Sequence, residues 1–179
     1  MRKLTLFAAL MGLTFLARAQ STDYHAFKFD LGLGYAQPSS GSGTKAGATF
    51  TLQPHYRLTD DFAIGLRYEA ALIGYANGST GAASVSALIS GCATGEYYLS
   101  DEGFRPFVGA GIGVFDEASA NSNSDASNTT LARSVNFGAF PEVGFEFGHL
   151  RVSIDYNVAG NNNNYIAFHV GAFFGGGKQ

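Results

Sequence analysis

Ser153, Asp155 and His169 are the residues of this sequence whose types and spacing come nearest to chemistry. A hydrolase needs a nucleophile, a base and a group that orients the base, and these three supply one of each. Ser153 and Asp155 lie two apart in one segment, and if residues 159–164 form a simple hairpin loop, His169 returns diagonal to both. Metal chemistry has less to work with. His25, His55, His149 and His169 are scattered, with no i, i+2 or i, i+4 pairing. Asp116, Glu117 and Asp125 lie among Ser and Asn without the spaced acids of a calcium loop. Cys92 stands alone, which excludes a disulfide scaffold and reads as a small filler. Gly109, Gly111 and Gly113 recur with period 2 inside one segment, unlike the strand-to-helix turn that cradles phosphates. No metal and no cofactor are therefore expected. A formal charge of −3, with no Lys/Arg cluster beyond the first three residues, argues against nucleic acid as a partner.

What must position these residues is a set of strands. The chain has 179 residues, of which only 14% are charged and 24 are Gly, a length suited to one domain. Its aromatic and β-branched content argues against disorder. The first residues read as a targeting segment: basic Arg2 and Lys3, an apolar run from Leu4 to Leu16, then Ala17-Arg18-Ala19. We expect a signal peptide over residues 1–19, with cleavage before Gln20, and a single β-barrel over residues 20–179. Removal of the leader takes away Arg2, Lys3 and Arg18 and leaves the mature chain more acidic. No later stretch approaches the roughly 18 apolar residues of a spanning helix.

The mature chain instead repeats period-2 alternation eight times, the signature of strands whose two faces differ. The first segment carries Phe27, Phe29, Leu31, Leu33 and Tyr35 in one phase and Lys28, Asp30, Gly32 and Gly34 in the other. The second opposes Phe50, Leu52, Tyr56 and Leu58 to Thr51, Gln53, His55 and Arg57, and the third opposes Ile64, Leu66 and Tyr68 to Gly65, Arg67 and Glu69. The pattern continues through Ser90, Cys92, Thr94, Glu96 and Tyr98, then Arg105, Phe107 and the three glycines, then Glu142 and Glu146. It ends with Arg151, Ser153, Asp155 and Asn157, and finally Ala167 and His169. Three connections are short (59–61, 101–103 and around His149) and four are longer and polar (37–47, 74–83, 116–133 and 159–164). Short turns at one end and long loops at the other are the layout of an outer-membrane barrel, and each segment supplies about the 9–11 tilted residues that bilayer height demands.

Alternation alone also fits a soluble calyx, apolar inside and polar outside. Three features favour the membrane. The apolar phase carries no charge in any segment. The other phase mixes its charges with Gly and Ser, too small and sparse to solubilise an outer surface. Tyr35, Tyr56, Tyr68, Tyr97 and Tyr156 lie in the apolar phase, mostly near segment ends, where an interfacial hydroxyl stays wet. The fold class expected is thus all-β, an eight-stranded antiparallel up-and-down transmembrane barrel with a filled polar lumen. The lumen would hold Lys28, Arg57, Arg67, Arg105 and Arg151 against Asp30, Glu69, Glu96, Glu142, Glu146 and Asp155, with His169 among them. Near-balance is what a narrow interior requires, because an unpaired buried charge costs several kcal/mol. If His149-Leu150 is a two-residue turn, Arg151 lies diagonal to Glu146; Gly109, Gly111 and Gly113 should face Glu96, Thr94 and Cys92. Pro54 and Pro141 fall inside strands, where each deletes a ladder hydrogen bond, so a bulge or a local strand end is expected at each.

Two stretches carry a resemblance. The run Glu96-Tyr97-Tyr98-Leu99, a short turn, then Phe104-Arg105-Pro106-Phe107-Val108-Gly109-Ala110-Gly111-Ile112-Gly113 resembles the outer membrane protein β-barrel domain family, small eight-stranded porin-like proteins of Gram-negative bacteria, common in the Bacteroidetes. The close from Tyr165 through Phe168, Val170, Ala172 and Phe174 to Lys178 is similar to that of the same group. The resemblance implies the barrel fold, outer-membrane location, contact with outer-membrane lipid and insertion by the barrel-assembly machinery; it implies no catalytic residues. Many such proteins end in an aromatic residue, whereas here Phe174 is followed by five residues, so either the signal is read internally or the last residues are a free tail.

The expected function follows from the filled lumen. The triad-like residues would sit where no substrate fits, and His169 reads as part of a polar network, so the chain is not expected to be an enzyme. The leading expectation is a structural or surface-interaction barrel, with recognition of a ligand the sequence does not name done by the long loops. The alternative is porin-like transport of small or hydrophobic molecules, for which Gly91, Ala93 and Gly95 in the outward phase would thin the wall.

Overall fold

The computed structural model describes residues 24–39, 44–76, 83–100, 103–122, 129–160 and 164–178. The expected signal peptide, Asp125 and residues 161–163 lie outside the described residues. Eight strands follow one another: β1 (Phe27–Pro38), β2 (Thr44–Arg57), β3 (Phe62–Ala76), β4 (Ala83–Tyr98), β5 (Phe104–Ser122), β6 (Thr129–Phe147), β7 (Leu150–Asn157) and β8 (Tyr165–Gly175). Each pairs antiparallel with the next, and β8 pairs with β1, so the sheet closes and leaves no edge.

Alternation produces opposite environments on the two faces. Leu33 is 68% exposed and Phe137 73%, while Lys28 and Arg57 are fully buried. Apolar side chains line the outer wall and charged ones the interior, the reverse of a soluble protein and the arrangement of a barrel whose solvent is lipid. A small apolar cluster of Ile73, Leu88, Phe115 and Phe140 closes the interior toward the long-loop end.

Several local expectations are corrected. Most of the 116–133 segment is β-ribbon: β5 and β6 stay paired as far as Ser122 and Thr129, well beyond bilayer height. The short turn near His149 is Gly148-His149, with Phe147 opposite Leu150 and Gly148 at a φ of 60°, a conformation glycine adopts without strain. Arg151 therefore stands directly opposite Glu146 rather than diagonal to it. His169 pairs directly with Ser153 and lies diagonal only to Asp155, whose partner is Ala167. Gly109, Gly111 and Gly113 do face Glu96, Thr94 and Cys92.

Neither proline forms a bulge. The β2–β3 ladder passes from Leu52–Tyr68 to His55–Gly65 without pairing Gln53 or Pro54, and the register is the same on both sides. The β6–β7 ladder stops at Glu142–Asp155 beside Pro141 and resumes in register at the Ala139–Val158 bridge. A strand residue aims its N–H at one neighbour only, so each proline opens one ladder and leaves the other whole: Pro54 still pairs with Phe29, and Pro141 with Ala110.

Close approach of strands explains one glycine by sterics. A Cβ at Gly171 would overlap the Leu31 carbonyl oxygen and come within 2.7 Å of Gly32 Cα, both backbone atoms that cannot swing aside. Gly171→Ala is expected to destabilise the barrel by about 1–3 kcal/mol, the usual cost of overpacking, seen as a lower urea midpoint for the heat-modifiable folded band. An unchanged midpoint would show that β1 and β8 separate freely.

Candidate functional site

The interior charges form two clusters. The first lies toward the short-turn end and draws on six strands: Lys28 and Asp30 from β1, His55 and Arg57 from β2, Glu96 and Tyr98 from β4, Arg105 from β5, Glu142 and Glu146 from β6, and Arg151 from β7. Lys28 Nζ donates to Glu146 Oε1 at 2.5 Å and to the Tyr98 hydroxyl at 2.6 Å, and lies 3.1 Å from Asp30 Oδ2. The Tyr98 hydroxyl donates a hydrogen bond to Glu96 Oε2 at 2.8 Å. Arg151 donates to Glu96 Oε1 at 2.5 Å, Glu146 Oε1 at 3.0 Å and Glu142 Oε1 at 3.2 Å. Arg105 closes the mouth with a 2.6 Å bond to Glu146 Oε2. Four cations thus meet four carboxylates, and shared partners make the charge-assisted bonds a network rather than a set of pairs.

Aromatic rings fill the remaining space. The Arg57 and Arg105 guanidinium groups lie 4.3 and 4.7 Å from the Tyr98 ring centre, and 4.7 and 4.9 Å from that of Tyr24. Arg151 sits 4.0 Å over Phe107. Such stacking stabilises cations taken out of water.

The second cluster lies nearer the long-loop end and contains Arg67 and Glu69 from β3, Asp155 and Asn157 from β7, and Tyr165 and His169 from β8. Arg67 Nη2 donates to Asn157 Oδ1 at 2.5 Å, and its guanidinium lies 3.3 Å over Phe140. Asn157 donates in turn to Asp155 Oδ1, and Tyr165 donates to Glu69 Oε1 at 2.5 Å. His169 lies between the two carboxylates, Nδ1 at 3.0 Å from Asp155 Oδ2 and Nε2 at 3.5 Å from Glu69 Oε2. Neither ring nitrogen has a hydrogen-bond partner, so Ser153, although directly across the ladder, is not engaged as a nucleophile. The cavity that Ser153 and His169 share has a volume of about 10 Å³, room for about one water.

All twelve charged or imidazole side chains expected in the lumen are buried there. The structure adds His55, Tyr98, Asn157, Tyr165 and, at the mouth, Tyr24. The alternation already put His55, Tyr98 and Asn157 on the inward phase, and the parity of Ala167 and His169 extends to Tyr165; only a preference for formal charge hid them. The scattered histidines are corrected more sharply. His55 and His169 have no sequence neighbours that could ligate, yet closure of the sheet gives each two carboxylates, Asp30 with Glu96 and Glu69 with Asp155.

Two larger spaces lie outside the plug. A cavity of about 470 Å³ opens at the short-turn mouth around Arg105, His149 and Phe173. A groove of about 370 Å³ runs on the lipid-facing wall along Leu52, Pro54, Leu66, Gly91 and Ala93, over the gap in the β2–β3 ladder, with Arg67 and Cys92 beneath.

This architecture is similar to solved barrels. The structure of Ail, the attachment invasion locus protein of Yersinia pestis, in complex with the heparin analogue sucrose octasulfate, superposes with a TM-score of 0.61 at 12% identity, over 83% of this chain and 99% of that one. Neisserial surface protein A superposes with a TM-score of 0.51 at 16% identity, over 83% of this chain and 95% of that one. At such identities the likeness concerns the fold. No curated protein matches the chain. The family model described as "Outer membrane protein beta-barrel domain" matches residues 5–174, and with the closed barrel and its inverted faces this makes the chain a member of that family and a protein of the outer membrane.

Proposed function

We propose that this chain is a closed, non-conducting and non-catalytic barrel that presents a recognition surface at its long-loop end. The observation that carries the reading is the plug: Lys28, Glu96, Glu146 and Arg151, from four different strands, meet at 2.5–3.5 Å across the lumen. An ion pathway would need these contacts to part, and each exposed partner would then be a desolvated, unpaired charge. The projecting β5–β6 ribbon supports the second half of the reading. It carries an exposed pair, Arg133 Nε donating to Asp116 Oδ1 at 2.9 Å, that links its two strands. Outer-membrane lipid is the partner of the apolar wall, and the barrel-assembly machinery is the partner during insertion. Planar bilayer recording of the purified protein tests the plug. Bare-membrane conductance is expected, and steady open channels would overturn the proposal.

A second reading, passage of small apolar molecules through the wall, is favoured by the groove over the Pro54 gap. Gly91 offers no side chain there, and a Cβ at that position would meet nothing within 4 Å. Hydrocarbon or lipid retained by the purified barrel would support it, and unchanged uptake of apolar solutes by a deletion strain would count against it.

A further inference from the structure

We propose that Glu69, Asp155 and His169 bind one divalent transition-metal cation inside the barrel. Their donor atoms lie within 4.8 Å of one another and all three residues are buried. Glu69 Oε2, Asp155 Oδ2 and both nitrogens of His169 lack hydrogen-bond partners, although other atoms of the same carboxylates are satisfied by Tyr165 and Asn157. Buried polar atoms seldom stay unpaired, and here the unpaired ones gather around one imidazole, with Asp155 at Nδ1 and Glu69 at Nε2.

Distance and charge point the same way. His169 Nε2 and Glu69 Oε2 are 3.5 Å apart, too far for a good hydrogen bond. Two ligands at about 2.0–2.2 Å from a tetrahedral metal stand roughly 3.4 Å from each other. Asp155 Oδ2 stands 3.0 Å from Nδ1 without a hydrogen bond to it, and so remains free to ligate. Two carboxylates face one fixed cation, Arg67, whose Nη1 stands 3.5 and 3.4 Å from Glu69 and Asp155 and makes no hydrogen bond to either. The cluster is left with a net charge of −1, which favours a bound cation and which a dication more than offsets. A proton on His169 is the competing way to offset it, and the experiment separates the two.

The other triad shows what an unavailable site looks like. Asp30 Oδ2 is reached by Lys28 at 3.1 Å and His55 at 2.9 Å, and Glu96 Oε1 by Arg151 at 2.5 Å. Four cations stand within that cluster, so a metal there would be repelled. An imidazole with two carboxylates suits Zn²⁺, Mn²⁺ or Fe²⁺; calcium needs six or more oxygens, and copper(I) prefers sulfur.

The test uses the full chain without a histidine tag, folded in detergent with Zn²⁺ and then desalted. Heat-modifiable gel mobility verifies the fold, elemental mass spectrometry reads metal content, and Co²⁺ replacement gives a visible spectrum. One metal per chain is expected, with binding weakened by on the order of 100-fold or more in Glu69→Gln and in His169→Asn, and preserved in His55→Asn. Folded wild-type protein that holds no metal overturns the proposal by itself, with no variant needed. Equal loss in His55→Asn, or undiminished binding in both of the other variants, overturns it as well.

Discussion

Arg151→Ala is expected to remove about 3–5 kcal/mol from the stability of the folded barrel, the largest loss available from a single lumen side chain. Arg151 approaches four carboxylates, Glu96 at 2.5 Å, Glu146 at 3.0 Å, Glu142 at 3.2 Å and Asp30 at 3.7 Å, and rests on the Phe107 ring. Alanine leaves these acids crowded around Lys28 and Arg105, with a void where the guanidinium lay. The penalty is dominated by stranded charge, so removing one acid along with the arginine should restore part of it: Arg151→Ala with Glu142→Gln should be more stable than Arg151→Ala alone. Arg151→Lys should fall between, because an ammonium cannot reach Glu96 and Glu142 together with a planar fork. Equilibrium urea unfolding in detergent or vesicles, followed by gel mobility, measures all three. A loss under about 1 kcal/mol for Arg151→Ala would mean that water enters the lumen and screens these acids, which would also undo the plugged reading.

The same network marks how far the sequence could be read. Strand number, the two faces and the lumen membership of Lys28 or Glu146 follow from parity, because a strand places every second residue on the same side whatever its neighbours do. The pairing of Glu96 with Gly109 follows from the short connection 99–103 between β4 and β5, since so short a link leaves little choice of register. What parity cannot supply is the partner across the lumen. Lys28 and Glu146 are 118 residues apart and lie on strands that never pair, and their 2.5 Å contact depends on strand tilt and stagger around the whole barrel. Scattered histidines therefore looked inert in the sequence and acquired carboxylate neighbours only on closure. The Pro54 gap was visible as a missing donor. Its outcome, a skipped pair instead of a bulge, was decided by the intact ladders on both sides of it.

Ile154→Arg is expected to cost about 2–4 kcal/mol and Leu150→Arg about 0–1 kcal/mol, although both side chains lie on the outer face of β7. Ile154 is the middle one of five outward residues, Leu150, Val152, Ile154, Tyr156 and Val158, so its guanidinium would enter hydrocarbon with no polar partner. Leu150 follows the Gly148-His149 turn, where an arginine can reach headgroups and water. Exposure gives no hint of the difference, at 47% for Ile154 and 43% for Leu150. In a soluble calyx both would gain a solvated charge and neither would lose measurable stability. The contrast between the two positions on one strand therefore isolates lipid as the surrounding medium. Unfolding free energies from lipid vesicles decide it: equal, near-zero costs would mean that the apolar wall meets water, and that the exposed Leu, Ile and Phe belt has some other partner.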